Sequence, residues 1–239
     1  MATKKTATPE TKTVEIKIKA PVIETANIVL VGDSPLIVHA WSEKAKNEML
    51  ESQQKEKKDK KAKEKRDPFA EFMDALYWIT PKPEEKTSEA FEAAVEAGAK
   101  FGFPVTAIKQ AALAACYRAG IIPNQAGMKS VFKLCAVDGI NPDSGSELAV
   151  IESPEPPKFR EDMVKIGGMT KVADLRYRPA FVNWKIRLKI SLTNVGTFDM
   201  QSIVNAINLG GFMNGIGEWR MERDGDFGHY HVEIEGERV

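Results

Sequence analysis

The sequence contains very few of the residues that build disulfide frameworks and metal centres. Only two cysteines and three histidines occur among its 239 residues. Cys116 and Cys135 both lie in apolar surroundings, and neither belongs to a C-x-x-C motif. This pattern predicts two buried thiols in a reducing compartment and argues against a disulfide or a metal pair. We therefore expect a cytoplasmic protein that holds no metal and no other cofactor.

Net charge and long apolar runs are also absent. The 34 basic residues are balanced by 34 acidic ones, so no overall positive field attracts nucleic acid, and any such partner must be argued from local clusters. No apolar run approaches the ~20 residues of a membrane span, and the polar start lacks the apolar segment of a secretory signal. We expect no membrane partner, a disordered N-terminus over 1–12 and a single domain over 13–239.

Recognised catalytic motifs are missing as well. The sequence has no P-loop, no H-E-x-x-H motif, no Ser-His-Asp order and no paired-carboxylate motif. His229 and His231 stand two residues apart, but a third metal ligand would have to come from Glu233 or from a distant carboxylate. His39 and His229 are the candidates for general acid–base catalysis. These absences favour a protein that binds a partner without catalysing a reaction.

The N-terminal part of the sequence predicts strands followed by a helical insertion over 42–150. Alternation over 13–20 and the apolar run over 26–32 are typical of strands, and a loop over 32–41 follows them. Helical spacing and capping residues predict helices over 42–54, from Asp67 onward, over 88–99, over 104–119, and an amphipathic segment over 128–137. The charged segment 55–66 is either a mobile, solvated stretch or a basic flap that attracts phosphates.

The C-terminal part changes to strands, and its clearest signal is the alternation over 181–192. Trp184 begins the apolar side of this strand, whereas Lys185, Arg187 and Lys189 face the opposite way. At ~3.3 Å per residue the three cations recur about every 7 Å. That spacing is close to the step between phosphates on an extended nucleic-acid strand, and the same row would serve equally well as a solubilising surface.

A helix and a final strand complete a C-terminal unit over 181–235. Asp199 is placed to cap a helix that spans 197–211 and ends at the pair Gly210-Gly211. Alternating apolar residues then predict a last strand over 230–234. The predicted order of strand, helix, loop and strand places a glycine-rich loop directly before the last strand.

The glycine-rich stretch "GIGEWRMERDGDFGHYHV" occupies residues 215–232. Four glycines punctuate it: Gly215, Gly217, Gly225 and Gly228. In one interpretation the stretch is a glycine-kinked hairpin with Trp219 and Phe227 in the core. In the other, the loop follows a nucleic-acid backbone, with Arg220 and Arg223 on phosphates and an aromatic side chain stacked on a base. The sequence leaves both interpretations open.

These residues carry a resemblance to a known family. The elements "GIG" at 215–217 and "GDFG" at 225–228, between the last helix and the last strand, resemble the signature loop of the RAMP superfamily. Its members are CRISPR-associated RNA-binding proteins, and the wider chain is similar to proteins encoded by tailed phages ("GDSPLIVHAW", "REDMVKIGG", "DLRYRPAF"). The resemblance implies an α+β fold with a ferredoxin-like, RRM-like antiparallel sheet. It also implies self-association along a nucleic-acid strand, and a catalytic histidine near the loop in the ribonuclease members.

We therefore expect a non-catalytic protein that binds single-stranded nucleic acid, either RNA or DNA. The predicted contacts are Arg176, Arg178, Lys185, Arg187, Lys189, Gly215, Gly217, Trp219, Arg220, Arg223, Gly225 and Gly228. In this hypothesis the glycine-rich loop and the cations of the 181–192 strand form one continuous surface for a polyanion.

Two alternatives belong to other functional classes. One is a metal-independent endoribonuclease of the RAMP type, in which His39 or His229 moves the proton. The other is a protein–protein inhibitor or assembly module that binds a host defence protein in the host cytoplasm. The zero net charge favours this second alternative.

Overall fold

A computed structural model describes residues 20–41, 66–142, 145–166, 172–194, 197–234 and 236–239, together with four helical positions between 47 and 53. The predictions for 1–12, for the strand over 13–20, for the helix over 42–54 and for the charged segment 55–66 fall wholly or mostly outside these residues. The rest of the chain decides the fold.

Five helices and eleven strands form in the described residues. In chain order they are β1 (Ile23–Gly32), β2 (Leu36–Ile37), α1 (Pro68–Asp74), α2 (Ser88–Glu96), β3 (Gly102–Pro104), α3 (Val105–Arg118), α4 (Gln125–Val131), β4 (Phe132–Ala136), β5 (Gly139–Ile140), β6 (Leu148–Val150), β7 (Lys158–Ile166), β8 (Val172–Phe181), β9 (Lys185–Thr193), α5 (Met200–Met213), β10 (Tyr230–Ile234) and β11 (Glu237–Arg238). The predicted α+β class is confirmed.

The main sheet has five antiparallel strands in the order β11-β10-β1-β9-β4. Its longest pairing joins β1 to β9, from Ile23 opposite Thr193 to Val31 opposite Lys185. The alternation predicted for β9 is confirmed, because its apolar residues are buried while its three cations are exposed. One side of the sheet therefore belongs to the core, and the other carries polar side chains.

Helices α3 and α5 cover the apolar side of the sheet. The prediction that Gly210 and Gly211 end the last helix is wrong, since α5 continues to Met213. A Cβ at Gly210 would lie 2.8 Å from the backbone nitrogen of Ala112 on α3, and one at Gly211 would lie 2.1 Å from the carbonyl oxygen of Tyr230. The two glycines allow close packing of the helix and do not terminate it.

The segment predicted as a helical insertion contributes strands as well as helices. The amphipathic segment over 128–137 is helical only as far as Val131, and Phe132–Ala136 forms strand β4 at the edge of the main sheet. Strands β3, β6 and β5 form a small separate sheet within the same segment. The helical prediction beyond Val131 is wrong because a short apolar run satisfies both a helix and a strand period.

A long antiparallel hairpin was not predicted. Strands β7 and β8 pair from Lys158 opposite Ala180 to Ile166 opposite Val172, and β2 adds a short third strand at Phe181. Successive side chains of the hairpin point to alternate faces. Arg160, Arg176 and Arg178 therefore share one face, and this face contacts the glycine-rich loop.

Of the two thiols predicted to be buried, Cys116 is buried and Cys135 only partly so. Both are free thiols. Burial raises the pKa of the Cys116 thiol. Within the described residues, no helix combines the length and the apolar character that crossing a lipid bilayer requires.

Candidate nucleic-acid interface

The polar side of the main sheet presents a row of cations. We call it the open face, and its exposed side chains are Thr25, Asn27, Lys133, Lys185, Arg187 and Lys189. Lys133 stands opposite Ser191, so it extends the β9 row onto β4. Its position was missed in the sequence because the run around it was interpreted as a helix, although the alternation in "FKLCA" is the signal that would have found it.

The cations of the open face differ in their partners. Arg187 Nε lies 2.7 Å from Glu152 Oε1 and its Nη2 lies 3.2 Å from Oε2, so this guanidinium is already neutralised. Lys133, Lys185 and Lys189 form no ion pair with any residue that the structure describes. These three ammonium groups remain available to an external anion.

Base stacking has no platform on this face. Among the described residues, no phenylalanine, tyrosine or tryptophan side chain projects from it, and Trp184 is fully buried on the other side. The Trp184 indole Nε1–H donates a hydrogen bond to the Ser34 carbonyl oxygen at 2.8 Å. The open face can therefore hold phosphates, whereas stacking on an aromatic ring would have to occur elsewhere.

The four glycines of the loop are required by its own packing. A Cβ at Gly225 would lie 1.8 Å from the carbonyl oxygen of Trp219, and one at Gly228 would lie 1.8 Å from that of Ile216. Gly215, Gly217 and Gly228 also adopt positive φ angles of 67°, 80° and 71°. Because Ile216 is buried in the core, the loop is anchored to the protein and is not a free strap.

Most of the loop's amide groups already have acceptors. The Gly215 amide donates to Gly210, and the Gly225 amide donates to Arg220. The Gly228 amide donates to the carbonyl oxygen of Pro35 at 2.9 Å, and the Glu218 amide to that of Ile37 at 2.9 Å. These N–H groups cannot cradle a phosphate without breaking existing hydrogen bonds. The glycines therefore serve the loop fold, as the first interpretation has it, but that interpretation is wrong in placing Trp219 and Phe227 in the core, since Trp219 is exposed and Phe227 is half-buried.

Basic side chains of the loop are also largely engaged. Arg220 Nε lies 2.9 Å from Glu222 Oε2, and its Nη1–H donates to the carbonyl oxygen of Gly217 at 2.9 Å. Arg118 binds the other oxygen of Glu222 at 2.5 Å. Burial would raise the pKa of Glu222, but the hydrogen bonds from Arg118 and Arg220 outweigh it and lower the pKa. Arg223 is exposed, with no ion pair to a described residue.

The hairpin arginines and the loop form a paired, partly buried group. We call Arg160, Arg176, Arg178 and Arg220 the arginine cluster. Arg160 Nε lies 2.7 Å from Asp162 Oδ1, with its guanidinium 4.6 Å from the centre of the Phe227 ring. Arg176 Nε lies 3.0 Å from Asp174 Oδ2. Each of these side chains already has a counter-charge from the protein itself.

Arg178 is the most enclosed member of the cluster. Only 6% of the residue is exposed, although the sequence predicted a surface contact. Its Nη2 lies 3.5 Å from Glu218 Oε2 and its Nη1 lies 3.8 Å from Asp162 Oδ2, both beyond normal hydrogen-bond length. Burial lowers the pKa of the Arg178 guanidinium. As placed here, Arg178 does not reach a polyanion at the protein surface.

A cleft of about 380 Å³ opens beside the glycine-rich loop. Its walls come from the loop, from α3 and from His39 and Tyr77; they include Phe103, Ala107, Gln110, Ala111, Ala114, Ile216, Gly217, Glu218, Arg220 and Glu222. Burial, and then the charge of Arg178, lower the pKa of His39. The imidazole is therefore neutral at neutral pH.

Five buried side-chain polar atoms lack a hydrogen bond within the described residues. Four of them are His39 Nδ1, Arg178 Nε, Arg178 Nη1 and Asp162 Oδ2. The fifth, the Tyr230 hydroxyl, lies elsewhere in the core. Of these residues only His39 lines the cleft, and because buried polar groups normally have partners, its Nδ1 marks a place there for a ligand or a water.

The remaining histidines lie at the other edge of the sheet. His231 Nδ1 is 2.7 Å from Asp33 Oδ1, and His229 Nδ1 donates to the carbonyl oxygen of Gly211 at 3.2 Å. Among the described residues, no group of three or more histidine, cysteine or carboxylate side chains could hold a metal ion. His229 lines a second pocket, with Asp33 and His231, and not the cleft that contains His39.

The predicted contact residues separate into two regions. Within the described residues, the glycine-rich loop makes no hydrogen bond or ion pair to Lys185, Arg187 or Lys189. It contacts α3, β2 and the hairpin instead. The hypothesis of one continuous surface is wrong in this respect, because the loop lies on the helix-covered side of the sheet. Trp219 is 37% exposed beside the arginine cluster and not on the open face.

No protein-family model and no curated protein matches this chain.

Proposed function

We propose that the protein binds single-stranded nucleic acid, RNA or DNA, through the open face of its main sheet and catalyses no reaction on it. The observation that carries this proposal is the row of three exposed lysines, Lys133, Lys185 and Lys189, without ion pairs to described residues. Phosphates bind such ammonium groups by releasing condensed counterions. In the alternative interpretation the lysines only keep the protein soluble. That role requires no particular spacing between them and predicts no binding of nucleic acid.

The topology of the main sheet supports the proposal. If only β1, β4, β9 and β10 are counted, with α3 before β4 and α5 before β10, the connection is β-α-β-β-α-β, and the strand order is 4-1-3-2. This is the arrangement expected of a ferredoxin-like sheet and hence of the RAMP resemblance. A sheet of this kind with helices on one side leaves its other side for a ligand.

The test is a salt titration of affinity. Labelled single-stranded oligonucleotide is titrated with the parent protein and with Lys185→Ala plus Lys189→Ala, and the dissociation constant is measured at several salt concentrations. Loss of two phosphate contacts lowers the slope of log K against log salt by about 1.4, at ~0.7 per contact on single strands. Lys100→Ala plus Lys129→Ala, two exposed lysines outside the open face, is the matched control and leaves the slope unchanged. Equal slopes for all three proteins reject the open face.

A metal-independent endoribonuclease remains the second candidate, and one observation favours it. His39 lines the same cleft as the first two glycines of the loop, Gly215 and Gly217. A neutral imidazole can accept a proton as a general base. Incubation with labelled hairpin RNA in EDTA tests this function. Cleavage that His39→Ala abolishes supports it, and absence of cleavage removes it.

The proposal extends to self-association and to the cellular compartment. The RAMP resemblance implies that copies line up along a strand. A host defence protein is a separate partner that the proposal includes. Both cysteines are free thiols, which supports a reducing cytoplasm, that of the host if a phage encodes the chain. Sedimentation with oligonucleotides of increasing length tests self-association, since the particle grows in steps of one protein mass if copies align.

A further inference from the structure

We propose that the cleft beside the glycine-rich loop binds one unstacked nucleobase that carries an exocyclic amino group. This inference rests on the proposed function for its source of ligand, a single strand with accessible bases. It assigns the cleft a role different from that of the open face. One region holds phosphates, and the other reads the edge of a base.

Charge excludes a phosphate from the cleft. Two carboxylates, Glu218 and Glu222, line it, and the one cation of the lining, Arg220, is already paired with Glu222, so a phosphate would find no free positive charge and would be repelled by Glu218. The guanidinium of Arg220 is paired with Glu222, and the amides of Gly215, Ile216 and Glu218 donate hydrogen bonds within the protein. The cleft is therefore built for a neutral group.

The polar groups of the cleft that lack a hydrogen bond within the protein favour a ligand that donates hydrogen bonds. Glu222 accepts from Arg118 and from Arg220, so both of its oxygens are occupied. Glu218 differs, since its side chain is 41% exposed, and its carboxylate accepts no hydrogen bond within the described structure and forms only a long ion pair with Arg178 at 3.5 Å. A side chain with an unused, charged acceptor is the group that an amino group of a base would meet.

Size, shape and the remaining polar groups agree with a base. The volume of about 380 Å³ lies within the range of small-molecule pockets. Ala107, Ala111 and Ala114 of α3 form an apolar wall without long side chains. His39 Nδ1 is buried without a hydrogen bond, and the exposed Gln110 amide makes none to a described residue. A planar, apolar-faced ligand with a polar edge satisfies these groups together.

Cytosine and uracil separate this inference from simple polyanion binding. They differ where cytosine presents an amino group and uracil a carbonyl oxygen, while oligo(dC) and oligo(dU) of equal length carry the same phosphates. Above neutral pH, where oligo(dC) stays single-stranded, we expect about tenfold tighter binding of oligo(dC), the effect of one charge-assisted hydrogen bond. Glu218→Gln brings the two affinities together, because its amide can donate to the uracil oxygen. Equal affinities for the parent protein, or a preference that Glu218→Gln leaves intact, overturn the inference.

Controls distinguish failure of this site from failure of the proposed function. Glu89→Gln, at an exposed carboxylate on α2, keeps the cytosine preference. Lys185→Ala plus Lys189→Ala weakens both oligonucleotides by the same factor and leaves their ratio unchanged. If neither polymer binds, the proposed function fails and the cleft is tested alone with cytidine and uridine. We then expect cytidine, but not uridine, to shift the NMR signals of the Gln110 amide and the His39 ring. If cytidine leaves these signals unchanged, the site is rejected.

Discussion

The open face and the arginine cluster hold similar numbers of cations but use them differently. On the open face, Lys133, Lys185 and Lys189 are exposed and have no described counter-ion. In the cluster, every guanidinium faces a carboxylate of the protein, and Arg178 is almost completely buried. A charge available to a polyanion and a charge used in the fold therefore cannot be told apart by counting basic residues in the sequence.

The two kinds of cation suit these two environments. Arginine has a planar guanidinium with five N–H donors, so it can bridge several acceptors in a confined space such as that around Asp162 and Glu218. Lysine carries a compact, strongly hydrated charge on a flexible chain, so it follows a mobile phosphate backbone at a surface. We therefore infer that the arginines of the cluster stabilise the fold and that the lysines of the open face bind the polyanion. The following substitutions test this inference.

The largest expected effect is on stability, from Arg178→Ala. Removal of this guanidinium leaves the buried Asp162 carboxylate with Arg160 as its remaining cation, so we expect a loss of about 3 kcal/mol, the low end of the range for breaking a buried ion pair. Urea unfolding measures the change. Arg187→Ala is the comparison on the open face, where an exposed pair contributes at most ~1 kcal/mol. Similar losses for the two variants would contradict the structural role of the cluster.

Gly228→Ala comes next. Its Cβ would meet the Ile216 carbonyl oxygen at 1.8 Å in a backbone with φ of 71°, so we expect a loss of about 2 kcal/mol or more. Gly127→Ala on α4 is the matched control, because nothing lies within 4 Å of a Cβ there and alanine favours a helix by ~1 kcal/mol. Thermal unfolding compares them. Unchanged stability of Gly228→Ala would show that the packing of the loop does not require glycine at this position.

A smaller effect follows from the pH dependence of His39. Its pKa is lowered in the folded protein, so the unfolded state binds the proton more tightly. The contribution of His39 is complete above about pH 6.5, the ordinary pKa of histidine, and is lost as the pH falls toward the folded value. Urea unfolding of the parent and of His39→Asn across this range measures it. Parallel pH profiles for the two proteins would show that His39 is not buried as described.

Glu152→Gln has the smallest expected effect, and it acts on the open face. Loss of the carboxylate releases Arg187 and adds a fourth free cation to the row. Binding of single strands tightens, and the salt slope steepens by up to ~0.7, the value of one phosphate contact. Fluorescence anisotropy at two salt concentrations detects this change. Weaker binding would mean that the Glu152–Arg187 pair itself forms part of the interface.

Local patterns predicted the parts of the fold that depend on neighbouring residues. The alternation of β9 and the caps at Asp67 and Asp199 follow from residue spacing, and all three are confirmed. The edge strand Phe132–Ala136 could not be separated from a helix, since five residues satisfy either period. Its strand conformation depends on pairing with β9, which is a tertiary interaction.

The candidate site shows the same division. The exposed cations of β9 were predicted because alternation decides them, whereas the burial of Arg178 depends on pairing with β7 and on contact with Glu218, forty residues later in the chain. The cleft joins His39, α3 and the loop, which are far apart in sequence. No local pattern could have predicted that assembly.

Contact between Gly210 and Ala112 has a further consequence. Because no side chain separates the two backbones, α3 and α5 pack tightly against each other behind the main sheet. We expect this packing to make the sheet rigid, so that the shape of the open face is set before a ligand binds. The ordering cost of association then falls on the nucleic-acid chain and not on the protein. Stiffer strands should consequently bind with a smaller entropic loss than flexible ones of the same charge.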